Sequence, residues 1–146
     1  MKHQPIVTSN QNYPWSLEMM VRFSDTDAVG HLNNVSMVRY HDNAAMAFLS
    51  DVLAVPGSGT MDPRLTIVRQ DISFDAETFY PDPLTLCAAV TEIQIEWFVL
   101  ALAIFQNGRR TGSSTAVVAL VDEQQQVLDL PVSWVTRLSH FSLRQQ

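Results

Sequence analysis

One stretch restricts the fold more than any other: from Val35 to Leu53 the chain runs without a glycine or a proline. Val38, Ala45, Phe48, Leu49 and Val52 recur there at spacings of three, four and seven, which gathers side chains on one helical face. Ala44, Ala45 and Ala47 add helix propensity. Asn33 or Asn34 suits the capping position, and the run VPGSGTMDP must end the helix. The segment carries few charges and its apolar residues spread over much of its girth. A helix of that kind has to be enclosed by the rest of the chain.

The flanking sequence supplies strands to enclose it. Trp15 to Phe23 alternates imperfectly, with Leu17, Met19, Val21 and Phe23 on one side, and reads as a first strand. After the helix come Leu65 to Ala76, Leu84 to Ile95, Glu96 to Phe105 and Thr111 to Val121, rich in β-branched and aromatic residues. Asn107–Gly108 marks a hairpin, and VLDLPVSWVTRL is a mixed tail. The order of strand, long helix and four strands predicts an α+β fold, an antiparallel sheet of about five strands around one helix. Residues 1–14 are expected to be a flexible lead-in and 15–146 a single domain.

Composition narrows the function classes. A hydrophobic fraction of 47% over 146 residues supports a packed core and argues against disorder. The net charge of −6 counts against a nucleic-acid partner, which needs a basic face. The single cysteine, Cys87, cannot form an internal disulfide and sits in an apolar stretch. His3, His31, His41 and His140 are scattered without metal-ligand spacing, so no metal and no cofactor is expected. The first fifteen residues lack the apolar core of a signal peptide, and no run is long enough to span a membrane. A cytoplasmic location is the expectation.

Chemistry concentrates in FSDTDAVGHLNN, residues 23–34, directly before the helix. A helix start offers unpaired backbone N–H groups and a positive dipole end, which can stabilise an oxyanion. A neighbouring carboxylate can attack a carbonyl or deprotonate a water. Gly30 would let backbone pass close to a ligand. An Asx-rich turn that merely caps a helix is the alternative explanation of the same residues.

Asp25, Asp27, Gly30, His31, Asn33 and Asn34, followed by Tyr40, fit in order the pattern D-x-D-x-x-G-H-x-N-N. The stretch resembles the signature of the 4-hydroxybenzoyl-CoA thioesterase-like branch of the hotdog superfamily, and the resemblance runs from about Leu17 to Leu138. It implies a hotdog fold and a thioester hydrolase acting on acyl-CoA. Asp27 then matches the catalytic carboxylate, as nucleophile or general base, and the Asn34 N–H the oxyanion donor. His31 becomes a second-tier catalytic candidate, and Gly30, Asn33, Tyr40 and Arg69 candidates for substrate binding. Asp25 is expected to brace the turn. Arg64, Arg69, Arg109 and Arg110 are candidates for the CoA phosphates. A homodimer or homotetramer is also implied, with sites formed between subunits.

Some positions depart from the family's pattern. Asn34 stands where some relatives have His, Ala44–Ala45 where an arginine is common, and Pro81–Asp82–Pro83 where Gly-Asp is usual. Glu96 and Trp97 replace small residues, and Trp97 with Phe98 either narrows an acyl pocket or packs the sheet. Three alternative functions remain: an acyl-carrier-protein thioesterase, an acyl hydratase, and a non-catalytic acyl-CoA sensor. Measured hydrolysis separates the last two from a thioesterase.

Overall fold

The computed structural model describes residues 9–54 and 57–144. Strand β1 (Trp15–Met19) precedes helix α1 (Asn34–Leu53), which is followed by β2 (Leu65–Phe74), β3 (Leu84–Ile93), β4 (Trp97–Gln106), β5 (Arg109–Val121), β6 (Val127–Leu128) and α2 (Val132–Ser139). All strand pairs are antiparallel, in the order β1-β3-β4-β5-β2, with β6 pairing the end of β5. The expected antiparallel sheet thus has six strands, the last of two residues, and it packs against one long helix.

Side chains alternate across each strand. Leu84, Leu86, Ala88 and Val90 of β3, Phe98, Leu100, Leu102 and Ile104 of β4, and Ala116, Val118 and Leu120 of β5 meet Ala44, Ala45, Phe48, Leu49 and Leu53 of α1 in one core. Ala44 and Ala45 let the helix lie close to the sheet. The opposite face carries Cys87, Ala89, Ala101 and Ala103, covered by Tyr13, Phe105 and partly buried Leu143. Phe98 through Gln106 is buried throughout, which is why β4 shows no polar alternation in the sequence. Phe98 packs the core and Trp97 lies on the face away from α1, paired with Ala119.

The two ends of the described residues meet on this sheet. The Arg144 N–H donates to the Asn12 carbonyl at 2.9 Å, and the Asn12 amide donates back to the Arg144 carbonyl at 3.1 Å. Val90 donates its N–H to the Phe141 carbonyl at 2.7 Å. Residues 9–13 belong to the expected lead-in; Asn12 and Tyr13 are buried. Residues 1–8 of that stretch lie outside the described residues.

Three expectations are corrected. The first strand ends at Met19, and Phe23 begins a 3-10 turn and is 73% exposed. Leu17 faces the core side but lies on an edge strand and stays exposed, as does Val38 on α1. Polar Ser36 and His41 instead share the buried face of α1. The mixed tail contains a helix, α2, which follows Pro131 and buries Trp134 and Leu138, four residues apart. Asn107 and Gly108 both have positive φ, as the two-residue hairpin requires.

Candidate active site

Residues 26–32 close into a tight loop, with Thr26 bridged to Leu32. The Asp27 N–H donates to the His31 carbonyl at 2.7 Å, and the Gly30 N–H to the Asp27 carbonyl at 3.2 Å. Gly30 has φ +81°, a conformation that side chains other than glycine rarely adopt. The loop aims backbone donors at one side chain. Asp27 Oδ1 accepts from the N–H of Val29 at 3.0 Å and of His31 at 3.1 Å. The carboxylate is exposed, and its other oxygen meets no protein donor among the described residues.

The loop is fixed to its neighbours on both sides. Leu32 donates its N–H to the Thr78 carbonyl at 2.7 Å, and Tyr80 to the Gly30 carbonyl at 3.3 Å. Buried Gln106, at the end of β4, holds residue 79 in turn: it accepts from the Phe79 N–H at 2.9 Å and donates to the Phe79 carbonyl at 2.7 Å. On the helix side the Asn33 side chain caps α1, accepting the Ser36 N–H at 2.8 Å. Met37 donates to the Asn33 carbonyl at 3.0 Å. The N–H groups of Asn34 and Val35 are left with no acceptor among the described residues, at the positive end of a 20-residue helix.

Asp27, His31, Asn33 and Asn34 line one cleft of about 500 Å³, together with Leu32, Met37, Phe74, Ala76, Glu77 and Thr78. His31 Nδ1 lies 3.2 Å from a Glu77 carboxylate oxygen, and its ring stands edge-on to Phe79. Sequence reading missed Glu77, Thr78, Phe74 and Ala76, because they arrive from a segment some fifty residues away with no motif of its own.

Tyr40 and Asp25 lie elsewhere. The Tyr40 hydroxyl donates to Asp25 Oδ2 at 2.7 Å, and both line a second cleft of about 330 Å³ with Arg22, Val38, Arg39, Asp42, Asn43 and Gln70. Burial first, and the Asp25 bond second, raise the Tyr40 pKa. With its carboxylate already engaged, Asp25 is the weaker candidate for chemistry. Arg69 joins neither cleft: it pairs with Val117 in the sheet, on the face away from α1, and holds Asp71 at 3.2 Å. Arg64 is bonded to Asp62 and Arg110 to Asp75. No group of three or more His, Cys, Asp or Glu side chains among the described residues is arranged to hold a metal ion.

An antiparallel sheet packed against one long helix, with the motif loop at the helix start, is the hotdog architecture of the thioesterases. The model of the thioesterase-like superfamily matches residues 21–139, so the chain belongs to that family. No curated protein matches the sequence significantly. Among solved structures, the chain is similar to a Thermus thermophilus thioesterase complexed with coenzyme A and zinc. There the identity is 16% and the TM-score 0.76, over 86% of this chain and 98% of that one. A predicted thioesterase from Bacillus stearothermophilus gives 16% and 0.79 over 90% and 98%. A 1,4-dihydroxy-2-naphthoyl-CoA thioesterase of Synechocystis gives 18% and 0.71 over 85% and 94%.

Proposed function

We propose that the chain hydrolyses acyl-CoA thioesters in the Asp27 cleft. The observation that carries this reading is the pairing, in one cleft, of a half-satisfied carboxylate with Asn34, whose unpaired N–H opens α1. The free oxygen of Asp27 takes a proton from water as the water oxygen bonds the thioester carbon. Negative charge builds on the carbonyl oxygen, where the Asn34 N–H and the helix dipole stabilise it. Collapse breaks the C–S bond, and the proton held by Asp27 passes to the departing sulfur. Direct attack by Asp27, with water opening the resulting anhydride, uses the same atoms. His31, oriented by Glu77, and the Asn33 cap hold this arrangement. The coenzyme A in the Thermus thermophilus structure supports CoA as the thiol half.

The whole of residues 15–146 acts here as one domain in the cytoplasm; no described helix is long and apolar enough to cross a membrane. A second copy of the chain is part of the reading. The outer edge of β2 is unpaired among the described residues, with Val68 and Phe74 half-exposed along it, and such an edge favours strand addition. Light scattering tests the oligomer. Thiol release from a panel of short, long and aromatic acyl-CoAs, wild type beside Asp27→Asn, tests the chemistry; binding without release of thiol sinks it.

A further inference from the structure

His41 is fully buried on α1, one turn beyond the cleft-lining Met37. Its Nδ1 lies 3.0 Å from Ser114 Oγ, and its Nε2 has no partner. Few buried polar atoms in folded proteins are left this way. Burial pushes the imidazole pKa down to about 4, so the ring is neutral and only one nitrogen carries hydrogen. Gln70 Nε2 donates a long 3.5 Å bond to Ser114 Oγ, and the serine hydroxyl can give its own proton to Nδ1. In that tautomer the unpaired Nε2 is an N–H donor.

Its position ties it to the cleft. A Cβ added at Gly112 would lie 3.0 Å from His41 Nε2 and 3.1 Å from Met37 Sδ, so the two side chains converge on one point. Gly112 pairs in the sheet with Phe74, and the Thr111 carbonyl accepts the N–H of Ala76; Phe74, Ala76 and Met37 all line the cleft. The Met37 thioether, a flexible side chain that lines the cleft, converges with the donor on that point beside Gly112. Thr78 is a second case: it also lines the cleft, is 1% exposed, and its hydroxyl is unpartnered. Helix-to-sheet packing alone explains neither atom, since an apolar residue of the same size would pack without a polar group to satisfy.

We propose that His41 and Thr78 are specificity-determining residues, selecting an acyl group that carries an oxygen substituent over its plain hydrocarbon counterpart. The proposal rests on the Asp27 cleft being the acyl site. An oxygen reaching past Met37 accepts the Nε2 hydrogen, and a hydroxyl at Thr78 can be met by either a donor or an acceptor. A hydrocarbon group leaves both buried atoms unpaired, which is the arrangement that discriminates most strongly between close analogues.

The test is binding, measured with ketone analogues of acyl-CoA in which a methylene replaces the thioester sulfur. Matched pairs with and without one hydroxyl, in aliphatic and aromatic series, are titrated calorimetrically into wild type, His41→Phe and Thr78→Val. The expected result is at least one pair in which the hydroxylated analogue binds wild type about tenfold tighter or more. That ratio falls towards one in His41→Phe, while affinity for the plain analogue is kept. Equal binding of every pair by wild type overturns the proposal, as does a ratio that survives both substitutions. Should His41→Phe fail to fold, the wild-type ratio and Thr78→Val still decide. Thiol release from the matching thioesters is measured alongside. Discrimination without hydrolysis sinks the hydrolase reading alone, and hydrolysis without discrimination sinks this proposal alone.

Discussion

The Tyr40 hydroxyl donates a 2.7 Å hydrogen bond to Asp25, whose carbonyl in turn accepts the N–H of Asn33, the cap of α1. The first carboxylate of the motif therefore clamps the loop onto the flank of the helix. Tyr40→Phe removes the donor and leaves a half-buried carboxylate short of a partner. A cost of about 1–2 kcal/mol is expected by urea denaturation, with hydrolysis reduced only a few-fold. A collapse of hydrolysis without loss of stability would move Tyr40 into the chemistry.

Asp27→Asn separates fold from reaction. The asparagine oxygen still accepts the N–H groups of Val29 and His31, so the loop keeps its shape, but the side chain no longer takes a proton. Thiol release should fall by about a hundredfold or more, with the melting temperature nearly unchanged. Survival of turnover in this variant removes Asp27 from its proposed role.

At Gly30 an added Cβ would meet no atom within 4 Å, so a substitution there is opposed by backbone conformation alone. Gly30→Ala should cost about 1 kcal/mol. Gly30→Asn, which tolerates positive φ, should cost less. Hydrolysis should follow the same order, since the loop aims the donors that hold Asp27.

His41 makes stability depend on pH. Its pKa is about 6.5 when unfolded and about 4 in the fold, because burial opposes the charged ring. Between these values the unfolded chain takes up a proton that the folded chain refuses. Stability is therefore full above about pH 6.5 and is lost as pH falls towards 4, by roughly 3 kcal/mol. Urea midpoints at pH 7.5 and 5 should diverge in wild type and diverge less in His41→Phe.

Burial pushes the Cys87 thiol up to about 12. The native protein should resist a disulfide reagent at pH 8, and the urea-unfolded protein should react with it at once. Rapid labelling of the native state would contradict the packing around β3.

The helix and the four long strands were legible because each has a period or turn signal of its own. α1 was bounded to within a residue, since Asn33 and the Pro/Gly run punctuate it on either side. Short elements were not legible: β6 has two residues, and α2 has eight, anchored only by Trp134 and Leu138. The site divides in the same way. Asp27, His31, Asn33 and Asn34 are close in sequence, and the loop brings them to one cleft. Tyr40 sits six residues past Asn34, on a flank of α1 that faces the other cleft, and the bulge between Ile67 and Arg69 turns Arg69 to the far face of the sheet. Glu77 and Thr78 come from a distant segment, so only tertiary structure reveals them. His41 reads in the sequence as one more residue of a helix, and its meaning depends on Ser114 and Gly112 across the core.

The mutual bonds between Asn12 and Arg144 leave these two ends of the described chain side by side on one face of the sheet, on the side away from α1. A short linker can therefore join them, and new termini can be opened at the exposed Asn107–Gly108 turn. In such a circular permutant the Asp27 loop, α1 and β2 stay on one uninterrupted chain, so the order in which the polypeptide is threaded can be changed without touching the cleft.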